Sequence, residues 1–202
     1  MGRAYTDEER EEIRVRLLET AVELYHDENT KALNIRDLTK QAGISLGCFY
    51  SFYKDKDDLI LAVIRYRGLQ KMENIVIDYD AALASPSGYL SSMIYGFIVD
   101  LRTKAVNKKM YEDALEIAGR KSAEYSDIFG QMLEKTVSRL VDFWEAGGYR
   151  VSADIKGISA VMAGASCLLS GGIRIPNPYF DDMLRSFIDV NMRKYLHVES
   201  KA

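Results

Sequence analysis

The sequence predicts an all-α protein. Apolar residues recur at three- and four-residue spacing along almost the whole chain, and strict alternation persists nowhere. Residues that start or stop helices (Asn34, Gly43, Ser45, Asp55, Pro86, Gly147-Gly148 and Pro176-Asn177-Pro178) stand where those stripes break. The composition agrees: 202 residues, 48% hydrophobic with 3 prolines, can bury a core and are neither disordered nor low-complexity. No internal repeat is visible.

The elements follow in order. Thr6 reads as the N-cap of a helix from Asp7 to His26, with Glu9 completing a capping box. This use of Thr6 is preferred over the formal N-myristoylation match of MGRAYT, which is read as chance. Ile13, Leu17, Ala21 and Leu24 form the apolar stripe of that helix. Asn34 caps a short helix in which Ile35, Leu38 and Ala42 face inward. Gly43 supplies the positive φ that ends it, and Ile44 pins the turn. Ser45 caps the next helix, where Phe49 packs with Phe52 or Tyr53 while Leu46, Gly47, Cys48, Tyr50 and Ser51 look outward. Asp55 caps a fourth helix that passes Leu59, Val63 and Tyr66 and reaches Ile77. Pro86 suits the first turn of the next segment, and residues 89–104 form an apolar helix. Asn107 caps a shorter piece to Gly119, and Ser122 to Ala146 is a long amphipathic helix. Ser152 caps a helix to Gly171, and residues 179–197 close the chain.

Helix, tight glycine turn and second helix between Ile35 and Lys56 form the motif that sets a recognition helix in the DNA major groove. The run GISLGCFYSFYKDKDDLIL resembles the N-terminal domain of tetracycline-repressor-like (TetR) transcription regulators. In that family the motif is followed by a Tyr, a second aromatic three residues on, and a Lys opening a long helix. Those positions are Tyr50, Tyr53 and Lys56 here, with Leu59 after them. The resemblance covers roughly residues 10–65 and fades beyond. Thr39 departs from a small alanine, and Cys48 from a threonine or serine that often touches a phosphate. The resemblance implies a helix-turn-helix DNA-binding domain over residues 1–54 and a helical ligand-binding and dimerisation domain over 55–202. It also implies a homodimeric, cytoplasmic regulator, expected to be a repressor released from a palindromic operator by a small-molecule effector.

Charge is distributed to match. The net charge is −3, and residues 1–30 carry four basic side chains against nine acidic ones. Residues 31–56 reverse this with five basic (Lys31, Arg36, Lys40, Lys54, Lys56) against two acidic, a local +3. Tyr50 and Lys56 resemble the family's phosphate contacts, with Arg36, Lys40, Cys48 and Lys54 completing the backbone-facing set. Base readout falls to Ser45, Leu46, Gly47 and Ser51, none of which offers the bidentate fork of Arg or Gln. That lack and the acidic first helix keep a second reading open, a helical adaptor that retains the motif as scaffold and binds a protein.

Between the head and the C-terminal helices, Tyr89, Met93 and Phe97 share one helical face, with Asp100 one turn later. With Tyr111, Tyr125, Phe129 and Trp144 they are the expected ligand-binding set, although aromatics and methionines at this spacing individually also suit core. Glu112, Asp113, Glu116 and Glu124 read as a solvated face; the other reading is selection of a cationic ligand. Helix 152–171 interleaves Ile155, Ile158 and Met162 with Gly157, Ala160, Ala163 and Gly164, and helix 179–197 carries Phe180, Phe187 and Met192; the pair looks like the family's two-helix dimer face, the other reading being core within one subunit. Cys48, Cys167, His26 and His197 form no metal-ligand pattern, and no cofactor is expected. No membrane-length apolar run appears, and no GxGxxG, Walker lysine loop or GxSxG, so no enzyme is expected.

Overall fold

The computed structural model describes residues 5–27, 33–120, 128–172 and 174–200. Helix α1 (Asp7–Asp27) opens on the box expected of Thr6 and Glu9: Glu9 N donates to Thr6 Oγ1 at 3.2 Å, and Thr6 N to Glu9 Oε2 at 2.9 Å. Helices α2 (Ile35–Gln41), α3 (Leu46–Tyr50) and α4 (Lys56–Glu73) follow. Leu17, Leu38, Phe49 and Leu59, one from each, are all fully buried and form the core of the head.

The body consists of α5 (Tyr79–Ala84), α6 (Pro86–Asn107), α7 (Lys109–Arg120), α8 (Ile128–Ala146), α9 (Ile155–Gly172) and α10 (Tyr179–Tyr195). Helix α9 packs on α8 and α10, α10 packs on α6, and α4 packs on both α7 and α8. Buried Ile94, Ile98, Leu133, Leu140, Ile158, Leu169, Leu184 and Ile188 fill the space between them. The Trp144 indole N–H donates to the Ala82 carbonyl at 3.1 Å in the interior, which fastens α5 to α8. Arg102 lies 4.1 Å from the centre of the Phe180 ring and donates to the Ile175 carbonyl and to Asn177. One side chain of α6 thereby holds the connection between α9 and α10.

Several local expectations need correction. The fourth helix ends at Glu73 rather than Ile77, because Asn74 terminates it and returns its Nδ2 to the Gln70 carbonyl at 2.8 Å. Asp78 then caps a separate helix, α5, its Oδ1 accepting from Ala81 N at 3.0 Å. Helix α6 begins at Pro86, as a proline at the first helical position allows, and runs through Asn107, which is its last residue and not a cap. The N-terminal part of the predicted helix 122–146 lies outside the described residues.

The expectation of no strand fails in one place. β1 (Tyr149–Ala153) pairs antiparallel with β2 (Leu196–Ser200), with Val151 opposite Val198. Ser152 therefore sits in a strand, and Asp154 caps α9 instead, its Oδ1 accepting from Gly157 N at 2.9 Å. Asp154 N also donates to the Tyr195 carbonyl at 2.9 Å, so the ribbon joins the start of α9 to the end of α10.

The small residues of α9 receive α10 of the same chain: the Phe187 ring lies over Gly164, and the Tyr195 ring over Gly157. A Cβ at Gly157 would lie 2.5 Å from Tyr195 Cδ1 and 2.7 Å from its Cγ, atoms too near the backbone to swing aside. Gly157→Ala is expected to lower unfolding free energy by about 1–3 kcal/mol, the usual range for overpacking, read from the urea midpoint; an unchanged midpoint would reject this packing.

Candidate nucleic-acid interface and effector cavity

The head is built by local chemistry. Asn34 Oδ1 accepts from Arg36 N at 2.9 Å, fixing the start of α2. At its end Gly43 takes φ 67°, Gly43 N donates to the Lys40 carbonyl at 3.3 Å and Ile44 N to the Thr39 carbonyl at 3.0 Å. This pair of bonds is a Schellman turn, and it fixes the angle between the two motif helices. Thr39 is buried, and its hydroxyl is absorbed by the Arg36 carbonyl at 3.0 Å. Ser45 Oγ accepts from Cys48 N at 3.1 Å, and Asp55 Oδ1 from Asp58 N at 2.9 Å, so α3 and α4 each begin on a side-chain cap.

Phe49 anchors α3 and turns its other side outward. Ser45, Leu46, Gly47, Tyr50 and Ser51 are exposed, as are Arg36 and Lys40 on α2 and Lys54 in the following loop. Tyr50 is 53% exposed, which separates it from the buried aromatics Phe49 and Tyr53. Burial pushes the Tyr53 hydroxyl, which has no hydrogen-bond partner among the described residues, up to about 12. Arg36, Leu46, Tyr50 and Lys56 line one open cleft with Leu33, Asn34 and Ile35. Two guanidinium or ammonium groups and a phenol thus converge on one side of α3, as a phosphate backbone requires. Lys40, Ser45, Gly47, Cys48, Ser51 and Lys54 do not line it.

Two details narrow the expected set. The Ser51 hydroxyl donates to the Cys48 carbonyl at 2.7 Å, so it is left as an acceptor. Cys48 is half-buried, with Sγ 4.0 Å from the Tyr5 hydroxyl. One residue escaped the sequence reading. Arg10 of α1 lies 4.8 Å from the Phe52 ring centre and donates to the Ser51 carbonyl at 3.4 Å, adding positive charge at the end of α3. No short-range pattern marks it, since 41 residues separate the partners.

In the body a cavity of about 620 Å³ opens between α4, α6 and α7. Its walls include Ile64, Gly68, Phe97, Leu101 and Tyr111, together with Arg67, Lys71, Asp100 and Lys104. Of the expected ligand residues it gathers Phe97 and Tyr111. Met93 stands outside it, the Tyr89 hydroxyl accepts from Asp78 N at 2.9 Å, and Trp144 is fully buried in core. Tyr125 lies outside the described residues, as does the Phe129 side chain. Glu112 and Asp113 pair with Lys109 at 3.1 and 2.8 Å and line no part of the cavity, nor does Glu116; Glu124 is outside the described residues.

Inside, Lys71 Nζ and Lys104 Nζ both approach Asp100 Oδ2, at 2.6 and 2.8 Å. Burial would raise the Asp100 carboxyl, but hydrogen bonds from Lys104 and Lys71 outweigh it and hold it below the usual carboxylate range. Beside this cavity a smaller one of about 100 Å³ shares Arg67, Lys104 and Tyr111 and reaches Val22 and Tyr25 of α1. The Tyr25 hydroxyl is raised first by burial and then by Asp113 and Asp57. At the far end of α7, Arg120 pairs with Asp57, in the first turn of α4, at 3.5 Å. Among the described residues no group of three His, Cys, Asp or Glu is placed to hold a metal ion, and no helix is long and apolar enough to cross a membrane.

Residues 17–63 match the family model of bacterial regulatory proteins, tetR family. An uncharacterized HTH-type transcriptional regulator of Bacillus subtilis (strain 168), YerO, is 30% identical over 90 residues, 43% of this chain and 30% of that protein. The chain thus spans under a third of the length of that curated relative. A TetR transcriptional regulator from Rhodococcus sp. RHA1 superposes with a TM-score of 0.63 at 18% identity, covering 95% of this chain and 100% of that one. RolR, solved with resorcinol, superposes with a TM-score of 0.55 at 16% identity, covering 98% of this chain and 92% of that one. At those identities the likeness to solved structures is one of fold.

If the cleft meets DNA phosphates, Lys56→Gln should weaken duplex binding evenly across sequences and flatten the slope of log affinity against log salt by about one. Fluorescence anisotropy on several duplexes at four salt concentrations measures both; a change confined to one sequence would contradict a backbone role.

Proposed function

We propose, on the match of residues 17–63 to the tetR family model of bacterial regulatory proteins, that the chain is a ligand-responsive transcriptional repressor of that kind, acting as a cytoplasmic homodimer. Residues 1–54 form the DNA-binding domain and residues 55–202 the effector and dimer domain. The observation that carries the reading is the double service of α4: its first residue, Lys56, lines the cleft beside the recognition helix, while Ile64, Arg67, Gly68, Gln70 and Lys71 wall the cavity. From Lys56 to Lys71 is about 22 Å of one helix, at 1.5 Å per residue. A ligand that moves the cavity wall moves the head.

Arg36, Tyr50, Lys54 and Lys56, with Lys40 alongside, hold the phosphate backbone in this reading. Ser45, Leu46, Gly47 and Ser51 meet the bases through methyl contacts, close approach and water, so each half-site contributes modest specificity. Two copies are then needed. Support for a dimer comes from the surface left after α9 and α10 have packed on each other. Ala160 and Cys167 on α9 are exposed, as are Met183 and Val190 on α10, a small-residue stripe beside an apolar one. A two-fold pairing of that face would present two recognition helices to a palindrome.

Phe97 and Tyr111 of the expected ligand set stand in the cavity and are proposed to contact the effector. That RolR, of the same fold, was solved with resorcinol supports a small-molecule effector. The effector acts by binding the DNA-incompetent arrangement better, since equal affinity for both would shift nothing.

Selection of bound sequences from random duplexes at two salt concentrations tests the reading. It should return one palindrome, held with an affinity that falls steeply with salt. A folded dimer that enriches no sequence at either salt would sink the DNA-binding reading in favour of the adaptor.

A further inference from the structure

The charge of the body cavity restricts what can occupy it. Arg67, Lys71 and Lys104 contribute three cations to its lining against one carboxylate, Asp100. The adjoining small cavity adds Lys108 and no acid. Among the described residues Arg67 makes no salt bridge; it donates from Nη1 to Oε1 of the neutral Gln70 at 3.3 Å. Asp100 is neutralised twice over, both lysines converging on its Oδ2. A cationic ligand would have to displace a lysine from Asp100 and then stand among the cations that remain. An anion meets the opposite situation.

The lysines are also easy to recruit. Lys71, Lys104 and Asp100 have side chains 47%, 34% and 38% exposed, and ion pairs that accessible are weak because water screens them. Each ammonium can therefore share itself between Asp100 and a second carboxylate without a large loss. The rest of the wall suits a flat apolar body. Lys71 Nζ lies 5.4 Å from the Phe97 ring centre, and Lys104 Nζ lies 5.7 Å from that of Tyr111. Both ammoniums thus stand next to an aromatic face, with Ile64 and Leu101 lining the same space. At about 620 Å³ the cavity lies within the range of small-molecule sites.

We infer that the effector is an aromatic carboxylate, its charge held by Arg67, Lys71 and Lys104 and its ring placed against Phe97 and Tyr111. This rests on the proposal that the cavity is the effector site.

Calorimetric titration of the full chain tests it, with benzoate, 1-naphthoate and 9-anthroate, the primary amide of each, and the methylammonium compound of each ring. At least one carboxylate should bind, with its amide and amine about tenfold or more weaker, as expected on losing a charge-assisted bond. Lys71→Gln and Arg67→Gln should each weaken that carboxylate about tenfold and leave the amide unchanged. The inference is overturned if no carboxylate binds, if an amide or amine matches its carboxylate, or if both variants leave the anion's affinity intact. Inorganic phosphate that competes as strongly as the carboxylates would remove the aromatic part. These outcomes are read without DNA, so they are separable from the regulator reading. An amine that binds as tightly as its carboxylate overturns the anion and leaves the regulator, whereas a tight carboxylate on a protein that selects no DNA in the separate duplex selection does the reverse.

Discussion

Continuity of α4 is the constraint on which the other features turn. It begins on the Asp55 cap, one residue beyond the motif loop, and buries Leu59, Ile60, Leu61, Val63 and Ile64 before it reaches the cavity. It contains no proline at which a sharp kink would form. Head and body therefore meet through a rigid element rather than a linker. The neighbours of α4 reinforce the arrangement. Tyr66 donates to Glu19 of α1 at 3.2 Å, and Asp57 is held by Arg120 at the end of α7. Helices α1 and α7 thus brace the same helix from two sides.

Charge divides the surface in a way that fits this construction. Helix α1 is net acidic, yet Arg10 reaches the carbonyl end of α3, where the helix dipole is negative and a cation is favoured. Together with Arg36 and Lys56 it gives the recognition helix basic groups at both ends. The acids elsewhere repel a polyanion from the remaining faces, which orients the approach of DNA without adding affinity. Inside the body the same sign recurs for another reason. There Lys71 and Lys104 stand beside the Phe97 and Tyr111 rings, Arg67 lines the same cavity, and one Asp100 cannot balance all three. Both positive sites lie on or against α4.

How much of this was readable from the chain depended on the range of the interaction. Caps are made within three residues, so Thr6, Asn34, Ser45 and Asp55 could be assigned directly, as could the positive φ of Gly43. Asp154 was missed in favour of Ser152 because both are good cap residues, and the choice was made by strand pairing with a segment more than forty residues away. The strands escaped notice for the same reason: five residues of alternation in β1 are too few to read without their partner. Helical spacing offers Phe97 and the local supply of aromatics offers Tyr111, but they offer Tyr89 and Trp144 equally, which the fold uses otherwise. Spacing identifies a face and cannot say whether a neighbouring helix closes on it. Nor did the cations of α4 stand out. Arg67 and Lys71 look in the sequence like any solvated face, and only the placement of α6 and α7 opposite them makes a site.

The energetics of a switch indicate which wall residues matter most. Moving a two-state protein from 1:99 to 99:1 needs a differential affinity of about 5.5 kcal/mol. Half-exposed ion pairs supply at most about 1 kcal/mol each, so charge alone selects the ligand and cannot throw the switch. Apolar contact can supply the rest. Burying about 150 Å² of aromatic surface in one state but not the other is worth about 4 kcal/mol at 25 cal/mol per Å². That burial depends on Ile64 of α4 closing toward Phe97 and Leu101 of α6 and Tyr111 of α7. The displacement required is small. A tilt of about 10° at the cavity moves the far end of α4 by roughly 4 Å, given a helix rise of 1.5 Å per residue over the intervening turns. In the proposed homodimer, two heads shifted by that much would no longer match successive turns of a major groove. In the proposed switch, selection of the ligand thus falls to the lysines and arginine, and the work of release to the apolar wall that the same helix carries.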